Sequence, residues 1–461
     1  MKRSHWMSLL LLALSVTAFQ APANAAAPNC ASYSNTNLMS WPAEDPVWEF
    51  CWRRLRDSVP TPNGSSVELF EVHFNGHLVS DRMHMPILNV EYGPGGCGCF
   101  RDWFDQEVRF EATGLPCANG YCEVIESPRT ICDCAPSDTC DSNPNNACNV
   151  DVGSFVGVAA DKGTERLTLT SHAAAGWYRY TVNWHFEIDG TIIPEIGFGA
   201  TPNGCTDTNH YHHGYYRLDF DINGPDNDEV FVERLADDGI DTDSDGIDDN
   251  QDNCLAVSNP DQRDTDGDQF GNMCDADLNN DLQINFADLG IMKSRFFGTD
   301  PDADLSGDGA VNFTDLGLMK QAFFGAPGPS GTIPQPQKVL EELGSYVEDV
   351  QSWLFKDSVT GRGYRLLPGR TDHVLEVTTF DPVPFAKGDY WVLAQNNNEL
   401  DDNTFGCAAD LDEFVNGEST DGEDIVFWYR IGDKHIGLDE CHCGRVGPRF
   451  EPVGDWSPEV Q

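Results

Sequence analysis

The stretch His210-Tyr211-His212-His213-Gly214-Tyr215-Tyr216-Arg217-Leu218-Asp219-Phe220-Asp221 decides how the chain reads. Its pattern predicts a β-strand, in which every second residue shares a face. His210 and His212 then point the same way, at a spacing that suits two imidazoles on one metal ion. Leu218, Phe220 and Ile222 continue that face and mark it as buried. Asp219 and Asp221 fall on the opposite face, as does His213. A His-rich surface strand is the plain alternative for an H-x-H pair taken alone.

The flanking sequence is also β in character. Val67–Phe74 before Asn75-Gly76, and Met85–Tyr92 before Gly93-Pro94-Gly95-Gly96, read as strands closed by turns. The clearest strand is Trp177–Ile188. Tyr178, Tyr180, Val182, Trp184, Phe186 and Ile188 alternate with mostly polar residues. No long helical period interrupts this region, so an antiparallel sheet architecture follows. On periodicity alone, Tyr178 is a core tyrosine.

The block Tyr178-x-Tyr180-x-x-x-Trp184-x-Phe186-x-x-Asp189-Gly190, followed by His210-x-His212-x-x-x-x-Arg217-Leu218-Asp219-x-Asp221, resembles the catalytic domain of copper amine oxidases. The resemblance implies that Tyr178 is the precursor of topaquinone and that His210 and His212 are copper ligands. Tyr92-Gly93 is similar to the family's Tyr-Gly, whose hydroxyl hydrogen-bonds the quinone. The segment Phe100–Asp105 is similar to the family's Tyr-Leu-Asp segment, which implies Asp105 as catalytic base, with Asp102 as a rival, and Trp103 at the place of an aromatic gate. Trp177 and Arg179 stand where the family has Asn and Asp or Glu, so a cation replaces a carboxylate beside Tyr178.

Later segments extend the resemblance. Gly363–Gly369 and Tyr390–Val392 resemble further parts of that domain. Asp424–Gly432 before His435 resembles the strand and turn that carry the third copper ligand, His435. Asp219, Asp221 and Asp424 match carboxylates that hold a peripheral calcium ion in the family; solvated strand carboxylates are the alternative. Val339–Trp353 reads as a short helix.

The N-terminal sequence points to export. Of its 461 residues, Lys2 and Arg3, the apolar run Met7–Phe19 and Ala23-Asn24-Ala25 read as a signal peptide over 1–25. Export, secreted or periplasmic, makes disulfides the expected state of the 16 cysteines, in preference to a zinc module in the dense Cys97–Cys148 run. The pairing is open. The net charge of −48 argues against nucleic acid and anionic membrane as partners.

Much of that charge is local. Asp241, Asp243 and Asp245, then Asp264, Asp266 and Asp268, repeat carboxylates every second residue. Such runs repel unless a cation sits among them, and oxygen ligands favour calcium. With Asp252-Asn253-Cys254, Asn259-Pro260-Asp261-Gln262 and Cys274-Asp275, they resemble thrombospondin type 3 repeats. Two copies of one unit follow. Asp277, Asn279, Asp281, Asn285 and Asp288, then Asp304, Ser306, Asp308, Asn312 and Asp315, occupy loop positions 1, 3, 5, 9 and 12, each loop running into a short helix. The duplicated unit resembles a dockerin type I module, with Leu282 in place of the first loop's glycine and Gly298 and Gly325 as expected helix C-caps. A dockerin implies a cohesin-like partner; a calcium-stiffened spacer and a solvated acidic linker are the alternatives.

The expected organisation is a signal peptide (1–25), a first β part (30–235), thrombospondin type 3-like repeats (236–276), a dockerin-like module (277–325), a Pro/Gly-rich linker (326–337) and a second β part (338–461). The expected fold is mainly β, an antiparallel β-sandwich catalytic domain with an inserted small calcium-binding loop-helix module. The resemblance implies oxidation of a small primary amine by O2, releasing aldehyde, H2O2 and ammonia, with copper, topaquinone and calcium as cofactors and a homodimer as assembly. The competing reading is a catalytically degenerate copper-binding protein, or one that acts through its dockerin-like module.

Overall fold

The computed structural model describes residues 27–57, 66–92, 97, 99–102, 106–128, 153–200, 205, 208, 210–236, 239–345, 350–369, 390–396, 399, 411–435 and 442–458. The signal-peptide reading over 1–25, Trp103 and Asp105 lie outside them.

Strands β1 (Asn37–Trp41), β2 (Trp48–Arg53), β3 (Glu68–Phe74), β4 (His77–Tyr92), β5 (Cys99–Asp102), β6 (Gln106–Glu107), β7 (Gly114–Ala118), β8 (Tyr121–Val124), β9 (Val158–Lys162), β10 (Arg166–Ala175), β11 (Tyr178–Glu187), β12 (Ile192–Ala200), β13 (His210–Asp219) and β14 (Asp228–Arg234) precede the acidic segment. Two helices, α1 (Phe286–Arg295) and α2 (Phe313–Ala322), lie within it. Strands β15 (Gln335–Lys338), β16 (Leu343–Ser345), β17 (Ser352–Asp357), β18 (Gly363–Leu367), β19 (Tyr390–Ala394), β20 (Ile425–His435), β21 (His442–Val446) and β22 (Arg449–Val453) follow it.

The first sheet runs β1-β2-β3-β4-β13-β20-β19-β16, with β5 on β4. The second runs β15-β14-β17-β18-β22-β12-β11-β10-β9-β8-β7, with β21 on β12 and β6 on β10. Described pairings are antiparallel apart from β8 with β9. Strands from before and after the acidic segment are interleaved in both sheets, as β13 with β20 and β14 with β17 show.

Aromatic rings fill the space between the sheets. Phe50 stacks on Phe186 at 4.7 Å, Trp184 meets Tyr216 at 5.5 Å, and Phe355 meets Phe427 at 4.8 Å. Each such ring removes roughly 150–250 Å² from water. The alternation read in Trp177–Ile188 therefore marks the inner face of the second sheet. Strand β13 is buried along its whole length, on both faces. Its inner face joins the core, while Tyr215 on the outer face packs with Ile87, Trp391 and Trp428.

Among the described residues of the range Val339–Trp353, 339–345 and 350–353, the expected helix does not form. Leu343–Ser345 pairs with β19, and the residues from Ser352 onward pair with β14. Trp353 and Phe355 bury on one face with a period of two, and pairing as the outer strand of the first sheet and between β14 and β18 in the second overrides the local helical preference.

The two loop-helix units interlock. Ile284 N donates to Gly325 O at 2.9 Å and Phe324 N to Ile284 O at 2.7 Å; Val311 makes the matching pair with Gly298 and Phe297. Asn285 and Asn312 cap the helices, each with a capping box closed by Asp288 or Asp315. The C-cap expectation needs correcting. Phe297 and Phe324, not the glycines, adopt the left-handed conformation, with φ of 63° and 67°. Gly298 and Gly325 are required for another reason: a Cβ there would meet the carbonyl oxygens of Arg295 and Ala322 at 2.8 and 3.0 Å.

Candidate functional site

Three neighbouring strands of the first sheet bring their ends together. His210 opens β13, and its backbone pairs with Tyr92 at the end of β4 and with His435 at the end of β20. For His435 the structure describes this backbone position. The disulfide Cys97–Cys205 ties together the segments that follow β4 and precede β13. The other described disulfides are Cys30–Cys51, Cys117–Cys122 and Cys254–Cys274.

Tyr178 opens β11 in the facing sheet and is 2% exposed. Its phenol oxygen lies 2.8 Å from Nε2 of His210 and 2.8 Å from the Tyr92 hydroxyl. Nδ1 of His210 lies 2.6 Å from the Thr208 carbonyl. A carbonyl oxygen only accepts, so Nδ1 carries the proton and Nε2 presents its lone pair to Tyr178. The hydrogen bonds then share one direction. Trp177 Nε1 donates to Tyr92 at 3.3 Å, Tyr92 donates to Tyr178, Tyr178 to His210, and His210 to the backbone.

His212 lies on the same face, its ring centroid 5.0 Å from that of His210 and 4.6 Å from that of Tyr178. Its Nδ1 is 3.0 Å from the Tyr180 hydroxyl, and Phe198 lies over its ring at 3.7 Å. His213 points away, its Nδ1 3.4 Å from Arg430. The Arg179 guanidinium donates to the carbonyls of Tyr178 at 2.9 Å and Gly176 at 3.4 Å. Phe100 meets Trp177 at 5.8 Å and Tyr92 at 5.9 Å, forming an aromatic approach above the tyrosines.

This donor set fits copper. Two buried imidazoles share a face, one with its lone pair fixed by a carbonyl on the far nitrogen, the usual way a protein orients a histidine ligand. Tyr180 and Phe198, which hold His212, were not singled out as site residues from sequence, although Tyr180 shares the face of Tyr178 two positions on. For Phe198, only the strand pairing of β11 with β12 brings it there.

No family model matches the chain, and no curated protein matches it. Solved structures similar to it include a lysyl oxidase from Pichia pastoris (14% identity, TM-score 0.46, covering 88% of this chain and 51% of that one). A copper-containing benzylamine oxidase from Hansenula polymorpha gives 12% identity and a TM-score of 0.49, covering 99% of this chain and 64% of that one. An Aspergillus nidulans amine oxidase gives 14% identity and a TM-score of 0.48, covering 99% and 57%. The chain thus spans between half and two thirds of the length of these structures.

Carboxylates converge elsewhere. Oxygens of Asp219, Asp221 and Asp424 all lie within 4.8 Å of one another, as do those of Asp241, Asp243 and Asp245, and of Asp264, Asp266 and Asp268. The first group is the buried one. Burial, and then the neighbouring carboxylates, push Asp221 up to about 9 and Asp424 up to about 7. Arg217 offsets part of this by binding Asp219 at 3.2 Å.

The two duplicated loops fold alike. Asp277 accepts from the backbone of Asp281, and Asp304 from that of Asp308, at 3.2 and 3.1 Å. Asp288 and Asp315 close the loops onto the residues at position nine. Leu282 holds φ at 62° where Gly309 holds 88°, so the first loop keeps its shape without the glycine. Asn279 and Ser306 lie between the paired aspartates as the spacing requires. Asp275, which the sequence did not single out as a ligand, is buried and pushed up to about 8 by burial and by Asp268, Asp266 and Asp277.

Proposed function

We propose that the chain oxidises a primary amine with O2 and water to give aldehyde, ammonia and H2O2. His210, His212 and His435 would hold copper, and Tyr178 would be the precursor of topaquinone. The observation that carries this reading is the buried contact of the Tyr178 phenol with both His210 Nε2 and the Tyr92 hydroxyl. Copper and O2 together supply the oxidising power that converts the tyrosine, and the quinone supplies the electrophilic carbonyl that accepts the amine's electrons.

The chain's own residues do the rest. Tyr92, itself held by Trp177, fixes the phenol oxygen, Thr208 and Tyr180 fix the imidazoles, and burial among Phe198, Tyr180 and His212 keeps water from the ring. Asp105 would take the α-proton of the bound amine as general base. Calcium at Asp219, Asp221 and Asp424, at the 241–245 and 264–268 runs and at the two duplicated loops would balance carboxylates that otherwise repel. A cohesin-like protein is the proposed partner of the loop-helix pair, and a homodimer the proposed assembly. Among the described residues no helix is long and apolar enough to cross a membrane, and disulfides are present, which supports export.

The test is aerobic incubation of the metal-free protein with Cu²⁺, followed by mass spectrometry of the Tyr178 peptide. A gain of two oxygens with loss of two hydrogens, trapped by phenylhydrazine, is expected. Bound copper with unmodified Tyr178 overturns the oxidase reading and leaves a copper-binding protein in which Arg179 and Trp177 have replaced the family's Asp or Glu and Asn.

A further inference from the structure

The chain crosses from the first sheet to the second between Asp219, at the end of β13, and Asp228, at the start of β14. Asp228 is paired in register with Asp357, the last residue of β17. Facing residues of an antiparallel pair project their side chains to the same side. Both are buried, at 5% and 0% exposure. One oxygen of Asp357 accepts from the backbone and hydroxyl of Thr360, which leaves its Oδ2 without a hydrogen-bond partner. Oδ2 of Asp228 is also without one, as are Oδ1 of Asp221 and Oδ1 of Asp424.

Such atoms are costly to bury. An unpaired buried carboxylate is matched by a cation or kept protonated, because its charge is costly away from water. The charges acting on Asp228 are those of Asp424, Asp357, Asp219 and Asp226, and burial together with these pushes it up to about 9. Arg217, the cation nearby, is engaged with Asp219. Asp228 and Asp357 also lie outside the group of oxygens within 4.8 Å formed by Asp219, Asp221 and Asp424.

We propose that Asp228 and Asp357 hold a second divalent cation of the calcium type, beside the one assigned to Asp219, Asp221 and Asp424. The donors are all oxygen, which selects a hard cation over copper or zinc. The ion would sit between the two sheets and anchor β14, the strand that leads into the acidic segment.

The test uses the full exported protein, freed of metal and dialysed against calcium, with bound calcium counted by elemental analysis. The Asp228→Asn/Asp357→Asn variant should bind one calcium fewer than the wild type. It should also melt at a higher temperature than the wild type in chelator, because two orphaned acids are gone, and gain less from added calcium. An unchanged count with an unchanged calcium-dependent gain overturns the proposal and makes the pair two protonated acids. If the double variant does not fold, the count on Asp228→Asn alone decides. An Asp219→Asn/Asp221→Asn variant tests the neighbouring site, and combined with Asp228→Asn/Asp357→Asn it should bind two calcium fewer than the wild type; a loss of only one by the combination, where each pair alone also loses one, means a single shared ion and overturns the proposal. If that variant loses no calcium while the Asp228 variant does, the first site fails and the second stands.

Discussion

The phenol oxygen of Tyr178 and Nε2 of His210 sit 2.8 Å apart across the gap between two sheets, the tyrosine on one and the histidine on the other. A group held there is within reach of whatever metal the imidazole binds. Tyr178→Phe should therefore keep copper bound and lose both the oxygen gain and amine oxidation. His210→Ala should lose the copper itself. Elemental analysis and peptide mass spectrometry on the same samples separate the two effects.

Tyr92 holds the phenol from the other side, and Trp177 holds Tyr92 in turn. A net hydrogen bond contributes about 0.5–1.5 kcal/mol, and about 1.4 kcal/mol corresponds to tenfold in rate. Tyr92→Phe should slow the copper-dependent modification of Tyr178 by up to about tenfold and leave copper stoichiometry unchanged. Trp177→Phe should have a smaller effect of the same sign. A time course of the modified peptide reads both.

The Cys97–Cys205 disulfide ties the chain beyond Tyr92 to the chain leading into His210. Cross-linking a chain over this sequence separation of 108 is worth about 4–5 kcal/mol in the chain-entropy model, and native strand pairing reduces the share that shows. Cys97→Ser/Cys205→Ser should leave the sheets folded, by far-ultraviolet circular dichroism, while weakening copper binding in a competition titration.

Stability should fall on the acid side through a second buried cluster. Glu68 accepts from Arg53 and Arg82, and His84 Nδ1 lies 3.4 Å from it; Arg217 faces His84 from β13. Burial and the charge of Arg82 push His84 down to about 3. For Glu68, burial works upward, but His84, Arg82 and Arg53 outweigh it and hold it at about 2. Both folded-state values lie below the unfolded ones of about 6.5 and 4.5. The stabilisation is thus complete above pH 6.5 and is lost as pH falls towards 3 for His84 and 2 for Glu68. Urea melts in saturating calcium should show this slope, and His84→Gln should flatten it between pH 6.5 and 3.

Leu282 carries a left-handed φ of 62° on an exposed loop. That conformation costs a non-glycine residue about 1–2 kcal/mol, while glycine costs about 0.5–1 kcal/mol in chain entropy. Leu282→Gly should stabilise the first loop by up to about 1 kcal/mol and tighten its calcium binding, read by titration calorimetry against the unchanged Gly309 loop.

Alternation was enough to place Tyr178, His210 and His212 on inner strand faces, because a period of two leaves little choice once one face is apolar. The spacing of Asp, Asn and Ser at positions 1, 3, 5, 9 and 12 made the shape of both loops legible, since each position is set within a dozen residues. Non-local pairing was not legible. Val339–Trp353 looked helical because its composition says nothing of the strands it pairs with, β19 in the first sheet and β14 in the second. Phe198 and the Asp228–Asp357 pair reach their places through strands that meet only in the folded sheets. The glycines after α1 and α2 were recognised, but their reason was steric, the approach of a carbonyl, and a sequence does not display that.

The pairing of β13 with β20 has a temporal side. His210 and its backbone partner His435 are 225 residues apart in the chain, and the acidic segment lies between them. At about 5–20 residues per second of synthesis, roughly 10–45 s separate their emergence. During that interval β13 has β4 beside it and an open edge on its other side, with two histidines at its end. The duplicated loops emerge within the same window, and a loop-helix pair that folds locally is able to form before the strand that closes the sheet. The wait is set by the insertion's length, so shortening it would speed closure of the sheet, and lengthening it would extend the time an unfinished histidine pair is open to the wrong metal.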